Sequence, residues 1–168
     1  MNIDGFEIER KFLIAMPDRA FLEACDRSEI TQTYLIGEEN TTERVRRRSY
    51  ADRCEYTHTV KRKLNDIRRI EDEREIDEDA YRALMERADP ARHPIRKTRC
   101  CFEHDGKLWE LDVFPFWNRQ AYLEIELSGE DEAFTLPPGI RVIREVTEDP
   151  RYTNAALSLE IPEEETDS

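Results

Sequence analysis

The chain has 168 residues, of which 38% are hydrophobic and 39% are charged, and its formal net charge is −13. This length suits one domain with one core, and the acidic balance argues against a general nucleic-acid or anionic-membrane surface. No apolar stretch approaches the roughly 18 residues that span a bilayer, and the first residues lack a signal-peptide pattern, so we expect a cytoplasmic protein.

Segments that alternate between apolar and charged residues dominate the chain and predict β-strands. The predicted strands span residues 6–14, 31–36, 43–49, 55–63, 66–76, 95–102, 107–114, 121–127 and 141–145. The dipeptide Asp105-Gly106 predicts a tight hairpin. Helices are predicted for residues 17–26 and 77–88, after Ser128, and over residues 154–159. Together these elements indicate an α+β protein in which antiparallel strands predominate.

The domain organisation follows from composition. We predict a single domain over residues 1–161, because no linker or repeat interrupts the pattern. Residues 162–168 are rich in Glu and Asp and lack apolar periodicity, so we expect an acidic disordered tail there.

The charged residues of the predicted strands recur at a spacing of two and therefore share one face of each strand. Residues 44–48 carry three arginines at alternate positions, and residues 71–75 carry three glutamates in the same way. The like charges within each row repel one another, which is unfavourable unless a ligand of opposite charge lies against the row. The simpler alternative is an ordinary antiparallel sheet with its polar face in water. Such faces usually mix Thr, Ser, Gln and Lys, however, and these faces are almost fully charged.

The opposite face of the same strands is apolar, as in Leu123, Ile125 and Leu127. If helices cover this apolar face, the charged face must look inward, as in a barrel with a wet interior. We therefore predict an eight-stranded antiparallel β-barrel with helices packed outside. Clustered carboxylates favour Mg²⁺ or Mn²⁺, and clustered Arg and Lys favour phosphate, so the interior would suit a metal–polyphosphate complex.

A Glu-x-Glu-x-Lys motif, Glu7-Ile8-Glu9-Arg10-Lys11, opens the first predicted strand. Alone it is a weak signal, because charged surfaces often produce it. Further motifs follow in order: Tyr34-Leu35, Val45-Arg46-Arg47-Arg48, Thr59-Val60-Lys61-Arg62-Lys63, Glu71-Asp72-Glu73-Arg74-Glu75, Lys97-Thr98-Arg99, Trp109-Glu110-Leu111-Asp112, Leu123-Glu124-Ile125-Glu126 and Asp149-Pro150-Arg151-Tyr152. With this ordered set, which covers nearly the whole chain, the protein resembles the CYTH superfamily of triphosphate tunnel metalloenzymes, in particular its short bacterial inorganic-triphosphatase-like forms.

The resemblance implies a tunnel that binds a small anionic triphosphate and needs Mg²⁺ or Mn²⁺, with one ion holding the substrate and a second activating water. By position in the motifs, it implies the metal ligands Glu7, Glu9, Glu124 and Glu126, with Glu73 and Asp112 as further candidates. It implies the phosphate contacts Lys11, Arg46, Arg48, Lys61, Lys63 and Arg99.

Two further residues receive catalytic roles from the resemblance. Lys97 matches a family lysine linked to positioning the attacking water, and Tyr34 matches a tyrosine proposed as proton acceptor. An unperturbed tyrosine has a pKa of about 10 and is a poor base near neutral pH. An orienting, relaying or packing role for Tyr34 is therefore the alternative.

The function that the resemblance implies is hydrolysis of inorganic triphosphate to diphosphate and phosphate. Thiamine triphosphatase or nucleoside triphosphatase activity is the nearest alternative. A class IV-type adenylyl cyclase, in which the 3′-hydroxyl of ATP replaces water, is less favoured. A non-catalytic polyphosphate-binding module is least favoured, because binding alone needs cations more than carboxylates. We expect no nucleic-acid or membrane partner, and a monomer or homodimer.

Overall fold

The computed structural model describes residues 8–64 and 69–165. Within them lie nine β-strands, three α-helices and one 3₁₀ helix. The strands are β1 (Ile8–Ala15), β2 (Asp26–Tyr34), β3 (Thr41–Ser49), β4 (Cys54–Lys63), β5 (Arg69–Ile76), β6 (Ile95–His104), β7 (Lys107–Val113), β8 (Gln120–Leu127) and β9 (Val142–Glu145). The helices are α1 (Arg19–Ala24), α2 (Glu78–Met85), the 3₁₀ helix (Pro150–Tyr152) and α3 (Asn154–Leu157). The predicted α+β class with mostly antiparallel strands is confirmed.

The strands are hydrogen-bonded in the order β5-β4-β3-β2-β6-β7-β8-β1-β9. The outermost strands of this order, β5 and β9, do not pair with each other within residues 8–64 and 69–165. The predicted closed barrel of eight strands is therefore corrected to an open order of nine. The reason lies in β1, which pairs with β8 along one edge and with the short strand β9 along the other. Alternation identifies the faces of a strand but not the partner of each edge.

Contacts divide the chain into two compact units. Among the described residues, the first unit comprises 8–28, 97–152 and 162–165, and the second comprises 29–64, 69–96 and 153–161. The assignment of residues 1–161 to a single domain stays a prediction.

The first unit is built around one apolar sheet face. The period of two sends alternate side chains of β1, β6, β7 and β8 to this face. Its buried members are Phe12, Ile14, Cys100, Trp109, Leu111, Ala121, Leu123, Ile125 and Leu127. Phe21 and Leu22 of α1 pack against them, so a helix covers the apolar face of this unit as predicted.

The second unit contains β2 from residue 29 onward and the antiparallel strands β3 to β5 that follow it, with α2 packed on β3 and β4. Asp77 caps α2 by accepting a hydrogen bond from the Ala80 backbone N–H at 2.8 Å, which confirms the predicted cap. The Tyr56 and Tyr81 rings lie 4.9 Å apart and join β4 to this helix.

The predicted hairpin between β6 and β7 is confirmed. Asp105 and Gly106 form its turn, with φ angles of 52° and 73°. Between Ser128 and the start of β9, all of which the structure describes, there is no helix, contrary to prediction. The Glu132 carboxylate instead accepts hydrogen bonds from the Ser128 backbone N–H and hydroxyl, which stabilises a turn.

The start of β2 also differs from prediction, since the strand begins at Asp26 and not at residue 31. α1 ends at Ala24, and the backbone of its C-cap Cys25 is already extended, so the polar residues that follow continue as strand. None of the helices in the part of the chain that the structure describes is long and apolar enough to cross a membrane.

Candidate active site

One face of the first unit carries charged side chains from four neighbouring strands. In the register of β1 with β8, Glu9 lies opposite Glu126 and Lys11 lies opposite Glu124. In the register of β6 with β7, Arg99 lies opposite Asp112. The strand period places these side chains on the face opposite the apolar core. This unit therefore brings together seven of the predicted site residues, namely Glu9, Lys11, Lys97, Arg99, Asp112, Glu124 and Glu126.

The centre of this face is a buried ion cluster. Asp112 is 0% exposed and Lys97 is 2% exposed. The Lys97 Nζ lies 2.9 Å from Asp112 Oδ2. Arg99 makes a two-pronged contact with the same carboxylate, from Nε to Oδ1 at 2.8 Å and from Nη2 to Oδ2 at 3.0 Å. Because both carboxylate oxygens are engaged by cations, the geometry favours an anchoring role for Asp112 over a metal-ligand role.

Burial and charge act in opposite directions on the members of this cluster. Burial lowers the pKa of Lys97 to about 8, although Asp112 opposes the shift. Burial alone would raise the pKa of Asp112, but Lys97 and Arg99 outweigh it and hold that pKa well below its usual range. Asp112 therefore remains ionised, and Lys97 remains mostly protonated at neutral pH.

The carboxylates beside the cluster crowd one another. Burial and the adjacent Glu124 raise the pKa of Glu9 to about 8. Because Glu9 is exposed to solvent, we attribute more of this shift to Glu124 than to burial. Glu124 Oε1 lies 3.4 Å from Lys11 Nζ, but it accepts no hydrogen bond from any of the residues that the structure describes. A bound cation would relieve the repulsion between these carboxylates.

The fit of a divalent metal rests on these carboxylates. Glu9, Glu124 and Glu126 supply hard oxygen donors of the kind that Mg²⁺ and Mn²⁺ prefer. Within residues 8–64 and 69–165, no three acidic, imidazole or thiol groups are already gathered as an assembled metal site. Glu7, the first of the predicted ligands, lies outside the described residues. The type of the donors fits a divalent metal, and the described residues by themselves do not form an assembled site.

The predicted basic and acidic rows of the second unit share one face, as their alternation predicts. In strand register, Tyr34, Arg44, Thr59 and Glu73 form one row across β2 to β5. Arg46, Arg48, Lys61 and Lys63 have the same strand parity and lie on the same face. The Thr59 hydroxyl donates to the Glu73 carboxylate at 3.0 Å, so this predicted metal ligand is bonded within its own unit.

Gln32 and Thr57 on this second face were not among the predicted site residues, whereas Arg44 belongs to the predicted arginine row. Gln32 Nε2, Arg44 Nε and Thr57 Oγ1 are buried and have no hydrogen-bond partner among the described residues. Gln32 and Thr57 lie opposite Arg46 on its two neighbouring strands. Gln32 is separated from Tyr34, and Thr57 from Lys61, by an even number of positions, so the sequence could have placed both on the same face as the predicted site residues. Buried polar groups without partners are costly, so these positions fit an acceptor-rich ligand.

Tyr34 is 3% exposed, and burial raises the pKa of its hydroxyl against the opposing influence of Arg44. A raised pKa makes the phenol a weaker acid and keeps it protonated at neutral pH. This environment favours an orienting or packing role over proton acceptance.

Comparison with known proteins places the chain among enzymes. No protein-family model matches it. A curated relative from Nitrosomonas europaea, named inorganic triphosphatase, is 36% identical over 160 residues, which cover 93% of this chain and 99% of the relative. An inorganic triphosphatase from Acetivibrio thermocellus is 33% identical, covering 91% and 93%. The crystal structure of the inorganic triphosphatase NE1496 is 34% identical with a TM-score of 0.61, covering 94% of this chain and 97% of that chain. The chain therefore belongs to the inorganic triphosphatase family.

Proposed function

We propose that this protein is a hydrolase that cuts inorganic triphosphate into diphosphate and phosphate with the help of a divalent metal. The observation that carries the proposal is the buried Lys97–Asp112–Arg99 cluster beside the carboxylates of Glu9 and Glu124. Fixed cations and hard oxygen donors on one face suit a metal-bound polyphosphate. Family membership supports the same reaction.

The residues of the first unit have distinct roles in this proposal. Lys11 and Arg99 hold phosphate oxygens. Lys97 donates to the attacking water and orients it, while Asp112 fixes the Lys97 ammonium. The water oxygen bonds to the terminal phosphorus, the bridging oxygen leaves with the bonding electron pair as part of diphosphate, and the proton that the water loses passes to the solvent.

A metal adds one contribution of its own. Mg²⁺ or Mn²⁺ held by Glu9, Glu124 and Glu126, with Glu7 as a further ligand, would neutralise phosphate charge as a Lewis acid. The number of ions, predicted as two, stays a prediction. So do the cytoplasmic location and the oligomeric state.

Within the second unit, the proposed phosphate contacts are Arg46, Arg48, Lys61 and Lys63. The buried polar groups of Gln32 and Thr57 support this assignment, because phosphate oxygens would satisfy them. Tyr34 is proposed to orient neighbouring groups, for which its protonated hydroxyl is suited.

A substrate panel tests the proposed function. Phosphate release is measured from inorganic triphosphate, thiamine triphosphate and ATP, with Mg²⁺, with Mn²⁺ and with a chelator. We expect the highest kcat/KM with inorganic triphosphate and no turnover with the chelator. Cyclic AMP as the main product from ATP would contradict hydrolysis. Saturable binding without phosphate release would favour the polyphosphate-binding module.

A further inference from the structure

We infer that residues 162–165, here called the acidic segment, position Lys11 by holding Tyr152 in place. The inference deepens the proposed function, because it rests on Lys11 as a phosphate contact. Tyr152 and Glu165 are then positioning residues, which act on the substrate through Lys11. All of the contacts involved lie within the first unit.

The acidic segment is bonded to the first unit, which differs from the disordered tail expected from composition. The Trp117 indole N–H donates to the Pro162 carbonyl oxygen at 2.9 Å. The Glu164 carboxylate accepts a hydrogen bond from the Arg119 backbone N–H at 2.6 Å. Composition could not predict this docking, because it depends on backbone groups that are distant in sequence. Only residues 166–168 of the predicted tail lie outside the described residues.

Glu165 binds the 3₁₀ helix and the residues around it, and its contacts with Tyr152, Arg144 and Gln120 are here called the clasp. Its carboxylate accepts a hydrogen bond from the Tyr152 hydroxyl. Arg144 Nη2 joins two carboxylates, at 3.0 Å from Glu165 Oε2 and 3.0 Å from Asp149 Oδ2. The Glu165 backbone N–H donates to Gln120 Oε1 at 2.7 Å, which fixes the segment to the start of β8. Tyr152 is consequently held at its hydroxyl end by a group in the acidic segment.

The other end of Tyr152 faces the proposed active site. Its backbone carbonyl oxygen accepts hydrogen bonds from Lys11 Nζ at 3.3 Å and from the Tyr122 hydroxyl at 2.9 Å. The Lys11 ammonium lies 4.9 Å from the centre of the Tyr122 ring and 3.4 Å from Glu124 Oε1. Three groups therefore define the position of this ammonium, and Tyr152 supplies one of them.

The contact with the Tyr152 carbonyl oxygen preorganises the Lys11 ammonium for binding the substrate. A lysine side chain is flexible, and immobilising it when the substrate binds costs conformational entropy. A carbonyl that holds the ammonium beforehand reduces this cost. The carbonyl can do so only while the Tyr152 backbone stays in place, and the clasp by Glu165 restrains it.

The first test measures the position of Lys11 without any catalysis. Glu165→Gln weakens the clasp, while Glu163→Gln changes an exposed neighbour in the same segment and serves as the control. Acetylation of each lysine by an amine-reactive reagent is followed by mass spectrometry, with Lys61 as internal reference. We expect Lys11 to react about threefold faster in Glu165→Gln and at the wild-type rate in Glu163→Gln.

The second test measures the consequence for substrate. We expect Glu165→Gln to raise KM for inorganic triphosphate about fivefold, with kcat changed less than twofold. In a Lys11→Met background the same substitution should leave KM unchanged, because the residue that it positions is gone. Tyr152→Phe removes the same hydrogen bond from the other side and should reproduce the effect of Glu165→Gln if the latter folds poorly.

Two outcomes would overturn the inference. One is unchanged Lys11 acetylation in both Glu165→Gln and Tyr152→Phe. The other is an equal rise in KM with and without Lys11, which would indicate a general structural role. If the wild-type protein fails to hydrolyse inorganic triphosphate, the proposed function fails, whereas the acetylation experiment still decides the inference.

Discussion

Lys97 combines two properties that are rarely found together in a lysine. It is 2% exposed, yet it keeps its charge at neutral pH because Asp112 lies 2.9 Å away. A buried ammonium with a fixed partner has little freedom to reorient, and it donates in surroundings where water competes weakly. These properties suit a group that orients a small reactant such as water.

We predict that Lys97→Ala lowers turnover much more than binding. The expected loss in kcat is about a hundredfold with KM within about threefold, because the group acts on the attacking water. Folding stability should also fall by about 1–3 kcal/mol, since Asp112 keeps only Arg99. Steady-state kinetics and urea unfolding measure both effects. Lys107→Ala is the matched control, because Lys107 pairs with Glu132 at the surface of β7. Wild-type kcat in Lys97→Ala would contradict the assigned role.

Glu9 is the described carboxylate on which the metal proposal depends most. We predict that Glu9→Gln abolishes metal-dependent phosphate release, because an amide cannot neutralise a divalent ion. Calorimetry should show Mn²⁺ affinity at least about tenfold weaker than in the wild type. Glu130→Gln, an exposed change in the turn after β8, should bind Mn²⁺ normally. Normal Mn²⁺ binding by Glu9→Gln would argue against this site.

At the scale of elements, one cluster of polar side chains joins α2 to the strands beneath it. Arg87, two residues beyond α2, donates to both oxygens of Glu43 on β3, at 2.6 Å and 3.1 Å. His58 Nε2 on β4 lies 2.8 Å from the same carboxylate. These contacts lower the pKa of Glu43, with Arg87 as the larger cause. The cluster therefore stabilises the second unit while Glu43 is ionised.

We predict that Glu43→Gln destabilises the protein by about 1–2 kcal/mol at pH 7, because it weakens a charged, half-buried contact. A carboxylate whose pKa is lower in the folded state stabilises fully above the ordinary value of 4.5 and loses this effect as pH falls below it. The difference in unfolding free energy between wild type and variant should therefore shrink below pH 4.5. Glu39→Gln, an exposed change in the preceding turn, is the control. An equal loss of unfolding free energy in this variant would contradict the stabilising role of the cluster.

At the scale of the whole molecule, the open strand order leaves edges that must avoid pairing with other chains. β5 is the outermost strand at one end of the order, and its described side chains are mostly charged and exposed. Asp72 and Arg74 form an exposed ion pair along this strand, with 3.0 Å between Asp72 Oδ2 and Arg74 Nη2. Charges of this kind oppose edge-to-edge association.

We predict that the double variant Asp72→Val/Arg74→Val associates, because it places two β-branched residues between Ile70 and Ile76 on an edge strand. Size-exclusion chromatography with light scattering should show larger species than in the wild type. The control is Asp52→Val/Arg53→Val, which makes the same change in the turn between β3 and β4. Equal association of both variants would attribute the effect to hydrophobicity alone.

The faces of the strands could be predicted from the sequence, but the pairing of the strands with one another could not. The alternation of Glu9 and Lys11, or of Leu123 and Ile125, is a local property, so the two faces could be predicted and were confirmed. The pairing of β9 with the second edge of β1 is not local, and the predicted closed barrel was wrong for that reason. The Glu7 assignment stays a prediction.

Local sequence was enough to predict which side chains share a face, where the tight hairpin turns and which residue caps α2, because each depends on neighbours within a few positions. The binding of Asp112 by two cations and the docking of the acidic segment against Tyr152 could be seen only in the folded chain. Such contacts join residues from separate elements, so their free energy depends on burial and geometry that no local pattern records.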